Sequence, residues 1–246
     1  MPAALISFTL IAVCWSLWIR RVTWTRRMEV AATLNIALQG AAIFLMSPWA
    51  SRTIGVWLHE LTGWWNLEDL IGHDCDVVAA SAIVYHLIIR LDQEQLIRRF
   101  KLHIELPATL CIPIMLGLFM FSNGGSVYRD DFFRVAADWA LAAYWLILCG
   151  TLIYLLGYSI YSLTPMWRDR PTIRTLCASY MVAVGLGLTA CVVRIATTLL
   201  PPEMQDTAGA SLPVWFFACS CGFGFAAVSA YSWIEKKRVM GPAYQG

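Results

Sequence analysis

Residues 48–90 read PWASRTIGVWLHELTGWWNLEDLIGHDCDVVAASAIVYHLIIR. The stretch leaves one apolar segment, crosses a polar and tryptophan-rich linker, and enters a second apolar segment with Asp76 near one end and His86 near the other. In the linker, 51–73, Ile54, Trp57, Leu58, Leu61, Trp64 and Trp65 recur at near-helical spacing with polar neighbours between them. That pattern predicts a helix lying in a membrane interface, its tryptophans at headgroup level. Asn66 is expected to cap the next helix, with Glu68 and Asp69 in the first turn, where the helix dipole favours acids.

Composition places this stretch in a membrane. The 246 residues are 59% hydrophobic and 14% charged, against about 25% charged in an ordinary soluble domain. Such a chain lacks the polar side chains to cover a surface in water. Seven apolar segments are long enough to span a bilayer, roughly 2–19, 30–49, 76–91, 104–122, 136–160, 175–199 and 213–234. The third reaches spanning length only by starting near Leu70 and accepting His73, Asp74 and Asp76. The expected fold class is an all-α membrane protein, 1–246 forming a single seven-helix bundle with an outer interfacial helix between spans two and three. Pro165 and Pro171 are expected to bracket the loop after span five. Small residues on spans six and seven, Gly187, Ser220, Gly222 and Gly224 among them, read as close helix packing.

Charge orients the bundle. Arg20, Arg21, Arg26 and Arg27 follow span one. Arg90, Arg98, Arg99 and Lys101 follow span three, Arg168, Arg170 and Arg174 span five, and Lys236, Lys237 and Arg238 span seven. Fourteen of the eighteen Lys and Arg thus fall on one side. The positive-inside rule puts the N-terminus outside and the C-terminus in the cytoplasm of a multi-pass inner-membrane protein. The basic loops suit contact with anionic membrane lipids and are too scattered for nucleic acid.

Polar residues within the spans fall into two layers, each of which needs a partner or a purpose. Asp76, Asp138 and Arg194 share an outer depth. They read as an outward-open pocket for a charged or zwitterionic ligand, as a structural salt bridge, or as Arg194 reaching for the interface. Asn35 and His86 share an inner depth, with Gln39 nearer the midplane on the same helix face as Asn35. Here the alternatives are a proton- or ligand-linked switch and a plain interhelical hydrogen bond. Seven of the eight cysteines lie in apolar runs, where a free thiol acts as a small hydrophobe. No zinc-ligand spacing, phosphate-binding glycine loop or nucleophile motif is present. No metal, cofactor or catalytic residue is therefore expected, and the chain does not read as an enzyme.

One family resembles this layout. The run Leu61-Thr-Gly-Trp-Trp-Asn-Leu-Glu-Asp-Leu-Ile-Gly-His, Ala79-Ala80, Ala143-Tyr144, Thr172-Ile-Arg-Thr-Leu, Val182-Ala-Val-Gly-Leu-Gly and Val193-Arg are similar to motifs of actinobacterial seven-helix proteins classed as transporters, with relatives in phages and prophages. The resemblance implies a transporter-like bundle and matches Asn66 and His73 to the family's motif without assigning them a role. Longer members continue into a cytosolic domain that a chain ending at Gly246 is expected to lack. Transport or ligand sensing is the function expected, sensing requiring a cytoplasmic protein partner. The alternative is a non-enzymatic membrane interaction protein, modifying a phage or host envelope, whose buried polar residues are structural.

Overall fold

The computed structural model describes residues 2–91, 94–169 and 171–240; Arg170, one of the loop arginines above, lies outside them. Among the described residues the chain is helical almost throughout and has no strand. The longer helices are α1 (Pro2–Ile19), α2 (Val30–Leu45), α3 (Pro48–Thr62), α4 (Leu67–Leu91), α5 (Ile97–Met120), α6 (Trp139–Asp169), α7 (Arg174–Thr198) and α8 (Ala208–Met240). Five of them, α1, α5, α6, α7 and α8, are long and apolar enough to cross a membrane. The pair α2 and α3, bent by 55°, makes a sixth if counted as one span. These are the helices of a multi-pass membrane protein.

The bend between α2 and α3 has a local cause. Ser47 is extended, its Oγ accepts the Ala50 N–H at 3.2 Å, and Pro48 opens the new helix. A serine cap followed by proline starts a helix and cannot continue the previous one. Inside α3, residues Ser51–Gly55 form a π turn. The helix stops at Thr62 because Gly63 adopts φ +79° and closes a left-handed cap. Trp64 and Trp65 therefore leave the apolar stripe to which their spacing assigned them. Trp64 packs on the core, and Trp65 stacks on His59 with ring centroids 3.5 Å apart. Pro165 also departs from expectation, since α6 continues past it to Asp169.

Packing partners define a ring. Helix α2 packs on α4, α4 on α6, α6 on α7, α7 on α8, and α8 returns to α2. Helix α1 fills the groove between α2 and α8, and α5 lies outside α6 and α4. The two outliers show most of their surface to the surroundings, as the exposed Phe8, Ile11, Trp15 and Trp18 of α1 illustrate. Helix α4 is the reverse case. It is not among the helices whose composition suits a bilayer, yet it buries fourteen residues, including Glu68, Asp69, His73 and His86. Its polar side chains face protein, where a bilayer tolerates them. Helices α7 and α8 approach closely through Gly224, where an added Cβ would lie 2.9 Å from the Ala183 Cβ. That contact is what the small-residue spacing predicts.

Candidate functional site

The five ring helices enclose a cavity of about 100 Å³. Its walls are mostly apolar and include Cys191, Cys221 and Trp215. Two polar side chains reach it, Gln39 of α2 and Asp76 of α4. Asp76 is half-buried and makes no hydrogen bond or ion pair among the described residues. A carboxyl group at the wall of an apolar chamber, with no partner in the fold, is costly unless something else meets it.

Toward the α3 end of the bundle the cavity meets a segment that folds inward. Phe132–Arg134 form a short 3-10 turn with Phe132 and Phe133 buried. Phe133 lines the cavity and packs edge-on against Trp215 at 5.2 Å. The turn is held from two sides. Arg194 Nη1 donates to the Phe133 carbonyl at 2.8 Å, and the Trp215 indole donates to Asp131 at 3.2 Å.

Behind Phe133 lies a second polar group. The Arg194 guanidinium is buried and stacks over the Trp145 ring at 4.0 Å. His73 stands edge-on to the same ring at 5.1 Å, and its Nδ1 is 2.7 Å from the Tyr144 hydroxyl. One proton is shared between them, and the imidazole tautomer sets which of the two donates. Four nitrogens here lack partners: Arg194 Nε and Nη2, Trp145 Nε1 and His73 Nε2. Each such group costs about 1–3 kcal/mol when buried unpaired.

These placements revise the expected layers. No ion pair joins Arg194 to Asp76 or Asp138. Asp138 caps α6 instead, accepting the Leu141 N–H at 2.8 Å and the Asn123 N–H at 3.2 Å. A short-side-chain acid just before a helix serves that role by geometry, and it removes Asp138 from the site. In the other layer, Asn35 Nδ2 donates to the Ala79 carbonyl at 2.8 Å, linking α2 to α4 without His86. His86 is buried with Nδ1 unpaired, and Gln39 turns toward the cavity. Asn66 does not cap α4 with its side chain. At φ +56° its Nδ2 donates to the Gly124 and Val127 carbonyls, tying α4 to the 123–129 connection.

Two buried acidic features go beyond the sequence reading, which had no counterpart for the first and gave the second only as first-turn acids. Glu29, at the opposite end of the bundle, accepts from Arg20 at 3.2 Å, Arg90 at 2.7 Å and Lys236. Burial alone would raise its carboxyl, but Arg90 and Lys236 outweigh that and hold it at about 2. An acid beside Arg20, Arg21, Arg26 and Arg27 was the available signal. At the α3 end, Glu68 and Asp69, just above Leu70, are both buried rather than facing an interface. Burial pushes both carboxyls up, Asp69 further because Glu68 and Asp131 stand near it. Glu68 takes a hydrogen bond from Ser51 at 2.8 Å and lies against Gly55 of the π turn, where an added Cβ would come within 2.5 Å of its Oε1.

No family model, curated protein or solved structure matches this chain.

Proposed function

We propose that the chain is a seven-helix inner-membrane protein that binds a small ligand in the cavity at Asp76, as a transporter or a ligand sensor does. The seventh span is α4 from about Leu70, shielded from lipid by the helices around it. The N-terminus lies outside and the C-terminus in the cytoplasm, in keeping with the side on which fourteen of eighteen basic residues fall. Helix α3 lies in the outer interface, with Trp49, Trp57 and Leu61 exposed toward headgroups. The resemblance to actinobacterial seven-helix transporters points the same way. A sensor of this topology hands its signal to a cytoplasmic partner through the basic loops, which also contact anionic lipid.

The observation that carries the proposal is the partnerless carboxyl of Asp76 at the wall of a cavity enclosed by five helices. Glu29 and Asp138, by contrast, are paired inside the chain. The alternative, a membrane interaction protein whose polar residues only hold the fold, draws support from Asn35 and Asp138, whose hydrogen bonds are spent inside the chain. Thiol accessibility separates the two. Cys191 and Cys221 line the cavity, whereas Cys177 is buried and is not part of its wall. In membranes, a small methanethiosulfonate reagent should modify Cys191 and Cys221 well before Cys177, as read by peptide mass mapping. Equal protection of all three thiols contradicts a ligand-accessible cavity.

A further inference from the structure

We infer that the ligand is a compact zwitterion, its ammonium end at Asp76 and its carboxylate end on the nitrogens of Arg194, Trp145 and His73, reached when the Phe133 ring turns aside. The inference rests on the cavity being a ligand site and names the class of molecule it takes.

Asp76 fixes the cationic end. It is the one acidic side chain on a wall that is apolar and aromatic apart from Gln39, and no cation among the described residues pairs with it. Its complement is a group with positive charge and N–H donors.

The other end follows from Arg194. It stands three residues beyond Cys191 of the cavity wall, hence on the same face of α7 and one turn toward the α3 end. Nη1 is engaged by the Phe133 carbonyl and Thr197 Oγ1. Nε and Nη2 remain, and both are buried without a partner. Those two N–H groups form one edge of the guanidinium, the edge that receives both oxygens of a carboxylate in parallel. Trp145 Nε1 is also an unpaired donor in the same shell of contacts, and His73 Nε2, likewise unpaired, is a fourth in the tautomer that protonates it. Such a set of N–H groups describes a place for an anionic oxygen group.

Phe133 separates the two ends. Its ring lines the cavity on one side, and Arg194 Cζ lies 5.6 Å from it on the other. The main-chain bond from Arg194 holds the backbone of the turn, so the side chain alone has to move. A ligand carrying both charges then meets a carboxylate and a guanidinium without bringing net charge to that depth, which a bilayer penalises. Size adds a limit. A cavity of about 150 Å³ takes benzene, with about six non-hydrogen atoms, so one of about 100 Å³ admits about four, the carboxylate being seated beyond Phe133. L-alanine is of that size.

The test uses the full chain in lipid nanodiscs and three probes: L-alanine, ethylamine, which lacks the carboxylate, and propanoate, which lacks the ammonium. Alanine is expected to bind about 10- to 100-fold more tightly than either, the loss of one charge-assisted contact. Arg194→Gln should bring alanine to the level of the amine and leave the amine unchanged. Asp76→Asn should bring alanine to the level of the acid. Equal binding of the amine and alanine, or of the acid and alanine, overturns the zwitterion and leaves the cavity as a ligand site. So does failure of all three probes while Cys191 and Cys221 stay open to the thiol reagent. Failure of the probes with those thiols closed removes both. If Arg194→Gln does not fold, the comparison of the three probes on the unaltered chain decides.

Discussion

Asn66 shows how one side chain can serve two geometries. A non-glycine residue at φ +56° is held there by hydrogen bonds from its amide to the Gly124 and Val127 carbonyls. Asn66→Gly keeps the backbone angle but loses those bonds, and should cost about 1–3 kcal/mol in unfolding measurements. Asn66→Ala adds the strain of the left-handed angle and should cost more than Asn66→Gly; the reverse order would show that the hydrogen bonds matter little. Gly55 is the second residue with a defined burden. An added methyl group would meet the Glu68 carboxylate at 2.5 Å, so Gly55→Ala should lower stability by about 1–3 kcal/mol, the usual cost of overpacking. At this scale the sequence picked out Asp76, Gln39 and Arg194 by their polarity and depth, and His73 through the family resemblance alone. It did not reveal their partners, because Arg194 is met by a main-chain carbonyl and an indole face, neither of which has a sequence signature.

At the scale of elements, α4 departs furthest from what composition suggests. Its acids and histidines keep it from reading as a span by composition, and the helices around it bury those residues. The apolar helices α1, α5, α6, α7 and α8 were legible from hydropathy, since their lipid- or core-facing surfaces are made of the same residues. The inward fold of 132–134 was not legible, being a short loop whose burial depends on Arg194 and Trp215 far along the chain. The four-residue cluster at Glu29 ties the ends of α1, α2, α4 and α8 together. Removing the acid leaves three cations close together, so Glu29→Ala should destabilise the fold by about 3–5 kcal/mol. Its pH signature has a definite sign. The folded-state value, about 2, lies below the ordinary 4.5, so the stabilisation is complete above the higher value and is lost as pH falls toward the lower one. Thermal unfolding of the native chain should weaken across that window more than unfolding of Glu29→Gln. Parallel pH profiles for the two would contradict the assignment.

The whole molecule is a ring of five helices around one chamber, flanked by α1 and α5, with an aromatic turn at one end and an ionic cluster at the other. Proposed orientation places the aromatic turn outside. A cytoplasm-only fluorescent reporter should light up when fused after Gly246 and stay dark when fused before Met1, and the opposite pattern would invert the bundle. The chamber itself is best tested through its charge. Cys221 shares its wall with Asp76, so at mildly alkaline pH a cationic methanethiosulfonate should modify Cys221 faster than a neutral one of equal size. Asp76→Asn should abolish that preference without closing the thiol to the neutral reagent. Equal rates for the two reagents on the native chain, or a preference that survives Asp76→Asn, would mean that Asp76 does not govern what enters the cavity.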